Sequence, residues 1–141
     1  MYLIRNMKYF FLLVGLVVLL NSCSVDDPKI FAIENATLVE VVRPDTLIYQ
    51  QNAQFDVTFR LPTSCHRFEG FVVQEAGQSR TIRTEIRYDE TFDCEDTPNE
   101  TETRQYEFFV ENLEDYTFRF LRGASDTGFQ YFEFQLPVKV E

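Results

Sequence analysis

Phe55-Asp56-Val57-Thr58-Phe59-Arg60-Leu61 alternates apolar and polar side chains without a fault. Successive side chains on a strand point to opposite faces. A period of two therefore gathers Phe55, Val57, Phe59 and Leu61 on one face and leaves Asp56, Thr58 and Arg60 to water. Pro62 ends the run. The same period returns in Arg80 to Tyr88 through Ile82 and Ile86, in Tyr106 to Val110, and in Tyr116-Thr117-Phe118-Arg119-Phe120. Gly123 to Gly128 reads as a hairpin loop. Beyond it Phe132, Phe134, Leu136, Val138 and Val140 share one face, opposite Tyr131, Glu133, Gln135 and Lys139. Pro137 cannot donate to a ladder, so this last strand is an edge or carries a bulge.

Working outward, Phe68 to Gln74 has apolar residues on both faces (Phe68, Phe71, Val72, Val73), the pattern of a central strand. Glu75 to Gln78, with Gly77, is a turn. Ala36 to Val42 reads as a strand stopped by Arg43-Pro44-Asp45, and Thr46 to Tyr49 as a short one. Residues 23–35 read as a polar tether in which Ile30, Phe31 and Ile33 allow a short first strand. Fifteen Phe and seven Tyr against no Trp make phenyl rings the main filling of the core, and flat rings pack well on a pleated surface. The expectation is an all-β domain over residues 36–141, an antiparallel β-sandwich of about seven strands whose Phe-rich faces bury against each other.

The first twenty-two residues have a different character. Arg5 and Lys8 precede an uninterrupted apolar run from Tyr9 to Leu20. Twelve residues fall short of the about 20 that a membrane-spanning helix needs, but suit the apolar region of a cleavable signal peptide. The run closes on Leu20-Asn21-Ser22-Cys23. This resembles the lipobox of bacterial lipoproteins, with Asn21 a less usual occupant of its second position. The resemblance implies that residues 1–22 are cut away and that Cys23 carries lipid, anchoring the chain to a membrane. One acyl chain anchors reversibly, whereas two or three, at about 0.8 kcal/mol per CH₂, hold firmly. Ser24 follows the cysteine where the family's inner-membrane retention signal has Asp, which implies the outer membrane. Asp26 and Asp27 resemble the short acidic tags of surface-exported lipoproteins, and a flexible acidic tether looks the same; the periplasmic face and the cell surface both stay open.

Leu113-Glu114-Asp115-Tyr116-Thr117-Phe118 resembles the tyrosine-corner region of immunoglobulin-like domains. There a tyrosine near the start of a strand bonds back to the backbone just upstream. Phe118 stands where antibody domains have their second cysteine, and their buried tryptophan is absent. The resemblance implies an immunoglobulin-like sandwich and no particular function.

Charge and chemistry narrow the function without fixing it. From Cys23 onward the chain has eleven basic and twenty-three acidic residues, a net of −12. Such a charge repels phosphates, so no nucleic-acid partner is expected. With Cys23 assigned to lipid, Cys65 and Cys94 remain, and in an oxidising compartment they are expected to form a disulfide. No CxxC pair is present, and His66 is the sole histidine. Cys65 and His66, adjacent on a strand, would point to opposite faces. No catalytic residue, cofactor or metal ligand is assigned. Seven carboxylates (Asp89, Glu90, Asp93, Glu95, Asp96, Glu100, Glu102) make an acidic loop from Asp89 to Glu102 without the ordered spacing of a calcium loop. A solvated loop is the expectation and a calcium site the alternative. Phe129 and Tyr131 could stack on sugar rings, though core packing or chance exposure is the ordinary explanation. Asp45-Thr46-Leu47 looks like the short O-glycosylation sites of some exported bacterial proteins. The expected function is that of a non-enzymatic, envelope-anchored module with an unknown protein or glycan partner. The alternatives are a calcium- or carbohydrate-binding module and, behind them, a small hydrolase.

Overall fold

The structure, a computed structural model, describes residues 31–89 and 93–141. The strands are β1 (Phe31–Asn35), β2 (Leu38–Val42), β3 (Leu47–Ile48), β4 (Asn52–Arg60), β5 (His66–Ala76), β6 (Ser79–Asp89), β7 (Thr101–Phe109), β8 (Tyr116–Ser125), β9 (Gly128–Leu136) and β10 (Val138–Lys139). The expected all-β sandwich is what forms. Ten strands replace about seven because both optional short strands, β1 and β3, are present and because Pro137 splits the last strand into β9 and β10. β1 thus lies in the segment just ahead of Ala36. Residues 1–30, with the Leu20–Cys23 segment, lie outside the described residues.

One sheet is β2-β4-β7, antiparallel throughout. In the other, β5 covers one edge of β6 along nearly its whole length. The opposite edge of β6 is shared. β8 runs parallel to Ser79–Ile82, β1 runs antiparallel to Glu85–Asp89, and β9 completes the sheet beyond β8. The parallel β6–β8 pair departs from an all-antiparallel sandwich. At Pro137 the chain changes partner: the Pro137 carbonyl accepts Leu47 N–H at 2.9 Å, and β10 then pairs in parallel with β3.

The alternation of β4 puts Phe55, Val57 and Phe59 at zero exposure. The Phe55 ring meets Phe118 and Phe120 of the other sheet at centroid distances of 4.7 and 5.6 Å. Each fully buried Phe contributes about 1.5–3 kcal/mol. On the solvent face of the smaller sheet, Thr58 and Thr103 share a hydrogen bond of 2.8 Å, and Gln105 donates to Gln54 and Asp56.

Two strand assignments are corrected. β5, expected in the centre of a sheet, is an edge strand paired only with β6. Its apolar residues on both faces have a local cause, a register shift between Phe68 and Gly70. That bulge turns Phe68 and Phe71, three positions apart, toward the same core, with rings 5.1 Å apart, and leaves Val73 exposed. The strand with the most partners is β6, whose inward residues Arg80, Ile82, Thr84 and Ile86 are all buried. The β8–β9 hairpin is also tighter than expected: Ser125 pairs with Gly128 around a two-residue turn. Val140 is 69% exposed, so the apolar face of the last strand ends at Val138.

The tyrosine corner is present. Tyr116 is fully buried, and its Oη accepts the backbone N–H of Asn112 at 3.1 Å and the Asn112 side-chain amide at 3.2 Å.

Candidate ligand-binding cleft

Cys65 and Cys94 are bonded, with their Cα atoms 5.5 Å apart and 29 positions between them in sequence. The bridge is one of several ties between the segment before β5 and the segment before β7. Thr63 and Asp96 form an antiparallel bridge. Ser64 N–H donates to the Glu95 carbonyl at 2.9 Å, and Glu95 N–H donates back to Ser64 Oγ at 3.0 Å. Thr97 donates through its N–H to the Pro62 carbonyl and through its hydroxyl to that of Leu61. From Cys94 to Thr97 the acidic loop thus has a laced backbone, while Asp93, Glu95, Asp96 and Glu100 stay exposed and Glu90 lies outside the described residues. Glu102 lies in β7 and pairs with Arg104; Asp89 ends β6 and meets Arg87 at 3.6 Å. Among the described residues, no three His, Cys, Asp or Glu side chains converge to hold a metal ion.

His66 begins β5 and is almost fully buried. Its Nδ1 accepts Thr63 N–H at 3.2 Å, so Nε2 carries the proton and donates it to Glu34 Oε1 at 2.9 Å. The Thr63 hydroxyl lies 2.8 Å from Nδ1 and also accepts Cys65 N–H at 3.3 Å. The Thr63 carbonyl accepts His66 N–H. Carboxylate, imidazole and hydroxyl stand in line, but Nδ1 and the hydroxyl are spent on the turn and Nε2 on Glu34 of β1. They hold the turn that presents Cys65 to its partner and fasten it to β1. The sequence hid this group because Glu34 and His66 are far apart along the chain, and only the pairing of β1 and β5 to the two edges of β6 brings them together.

Around Glu34 the end of the sandwich is concave. Two adjoining hollows of about 540 and 510 Å³ share Glu34 and Pro62. The smaller is walled by Ala32, Thr63, His66 and Tyr88. The larger has Ile86 and Pro98 as apolar lining, with Asn35 and Thr37 between the carboxylates of Glu34 and Asp96 and the guanidinium of Arg60. Arg60 closes the alternating run of β4, and its backbone N–H, bonded to the Thr37 carbonyl at 3.0 Å, fixes it beside the start of β2. A cleft of this size is in the range of sites for small molecules.

Phe129 is 66% exposed, but Arg119, paired with Glu133 at 2.8 Å, covers the Tyr131 ring at 4.3 Å. The pair therefore forms no open stacking platform. Thr46 of Asp45-Thr46-Leu47 is half-buried, beside the buried Leu47. No family model matches the chain, and neither does any curated protein or solved structure.

Proposed function

We propose that this chain is a lipid-anchored protein of the bacterial outer membrane whose β-sandwich is a binding module, not an enzyme, for a partner protein or glycan. The observation that carries this reading is Leu20-Asn21-Ser22-Cys23 at the close of a twelve-residue apolar run behind Arg5 and Lys8. The Cys65–Cys94 bridge supports export, because disulfides persist where the compartment is oxidising. The acidic excess disfavours nucleic acid as a partner. The binding half rests on the cleft, and the commitment of His66 and Thr63 to the turn argues against a nucleophile there.

The position of β1 supports an orientation for the anchored domain. Phe31, the first described residue, pairs with Asp89 at the end that carries the disulfide turn and the cleft. Only eight positions separate Cys23 from Phe31, so at roughly 3.3–3.6 Å per residue the tether reaches no more than about 29 Å. A tether this short, joining the domain beside the cleft, favours the cleft end toward the bilayer and the Tyr116 end away from it.

Metabolic labelling with a fatty-acid analogue tests the anchor. The wild-type chain takes up the label and fractionates with membranes. Cys23→Ala loses both the label and the membrane association, and equal labelling of the variant overturns the proposal.

A further inference from the structure

The larger hollow holds two opposite charges that do not meet. Among the described residues, Arg43, Arg80, Arg83, Arg87, Arg104 and Arg119 each have a carboxylate partner, and Arg122 lies over the Phe132 ring. Arg60 and Arg67 have neither kind of contact, although acidic residues outnumber basic ones about two to one from Cys23 onward, and of the two only Arg60 lines the larger hollow. Asp96, on the disulfide-tied segment, is likewise without a side-chain partner among the described residues. Both line the same cleft. Glu34, the other carboxylate there, is engaged by His66.

These positions are set by backbone and not by side-chain choice. The Arg60 N–H bond to Thr37 fixes one wall. The Thr63–Asp96 bridge and the disulfide fix the other. The two exposed side chains form no ion pair with each other, and a ligand that covers both must answer both charges. The apolar surface between them comes from Ile86, Pro62 and Pro98, and among the described residues no aromatic ring lines this hollow on which a sugar could stack.

We propose that this cleft binds a small zwitterion of the amino-acid or short-peptide class. The ligand carboxylate meets the Arg60 guanidinium, which presents a planar fork of donors suited to it. The ammonium meets Asp96, an apolar side chain covers Ile86, and Asn35 and Thr37 are within the cleft to serve a peptide group. This assignment goes beyond the protein or glycan partner proposed above and rests only on the reading of the domain as a binding module.

The experiment is calorimetric titration of the full chain in non-ionic detergent with the dipeptide Ala-Leu, its N-acetylated form and its C-terminal amide. Ala-Leu binds saturably, and each blocked form binds at least about tenfold more weakly, the loss expected for one charge-assisted contact. Arg60→Gln weakens the free dipeptide by a similar factor and no longer distinguishes it from the amide, while still rejecting the acetylated form. Asp96→Asn gives the reverse pattern, and Arg60→Lys restores part of the binding. Absence of saturable binding up to about 10 mM overturns the proposal, as does equal binding of the free and blocked dipeptides by the wild-type chain. The blocked ligands need no variant, so a substitution that disturbs folding cannot mask the result. Labelling at Cys23 is blind to the cleft, so failure here and failure of the anchor are told apart.

Discussion

The two ends of the sandwich are closed by different means. At the end of Tyr116, the chain fills its own space. Tyr116, Leu47, Val110 and Leu136 are buried, and Arg80, only 6% exposed, lies over the rings of Phe108 and Tyr116 at 5.6 and 5.3 Å. Its Nη1 donates to the Gly77 and Ser79 carbonyls, and Glu75 offsets its charge at 3.4 Å. The turn beneath it is tight, with Gly77 at φ 59°, a conformation that costs glycine nothing. At the end of Cys65 the space between the sheets is closed differently. Backbone ties and a covalent bond hold the walls apart, and a cleft remains. Packing makes a closed end, whereas a cross-link lets an end stay open without losing its shape.

The largest expected effect breaks the open end. Replacing Cys65 and Cys94 together by Ser removes the restraint on a loop of about 30 residues in the unfolded chain and costs about 2–5 kcal/mol. Thermal melting should fall by roughly 10 °C or more. An unchanged melting temperature would mean that the backbone ties alone suffice, and the contrast between the ends would lose its cause.

At the closed end, Tyr116→Phe keeps the ring and deletes only the hydroxyl that accepts from Asn112. Leaving that donor unanswered costs about 1–2 kcal/mol, read as a lower urea midpoint at an unchanged slope. A loss within error would show that the corner is packing alone.

The smallest effect comes from Tyr106, between the two ends. Burial raises its phenol above the usual value, opposed by nearby Arg80 and reinforced by Glu75. Because the folded state holds this proton more tightly than the unfolded one, its contribution is present in full below the ordinary phenol range near pH 10. It is lost as pH rises through the higher folded value. Tyr106→Phe should therefore flatten the alkaline limb of a melting-temperature profile; an identical limb in both proteins would count against the shift.

How far the sequence could be read depended on whether a residue's neighbours were local. Strict alternation located β4, β6, β8 and the buried faces they contribute, because side-chain direction along a strand depends only on position. Apolar residues on both faces of β5 misled, since a bulge imitates a strand buried on both sides. The disulfide could be expected by elimination among three cysteines. The Glu34–His66 contact and the placing of Arg60 and Asp96 on one cleft could not, because each joins segments whose meeting is set by sheet order.

The amino-acid sequence by itself determined that the domain is all-β and rich in buried phenyl rings, and that Tyr116 turns a corner. These follow from period-two patterning and turn chemistry, which act over a few residues. Only the tertiary structure decided that β6 lends one edge to both β1 and β8, that β5 lies at the margin, and that the end nearest the chain's entry stays open as a cleft. Strand order is a choice among partners distant in the chain, made by fitting whole faces together, and no local pattern encodes it.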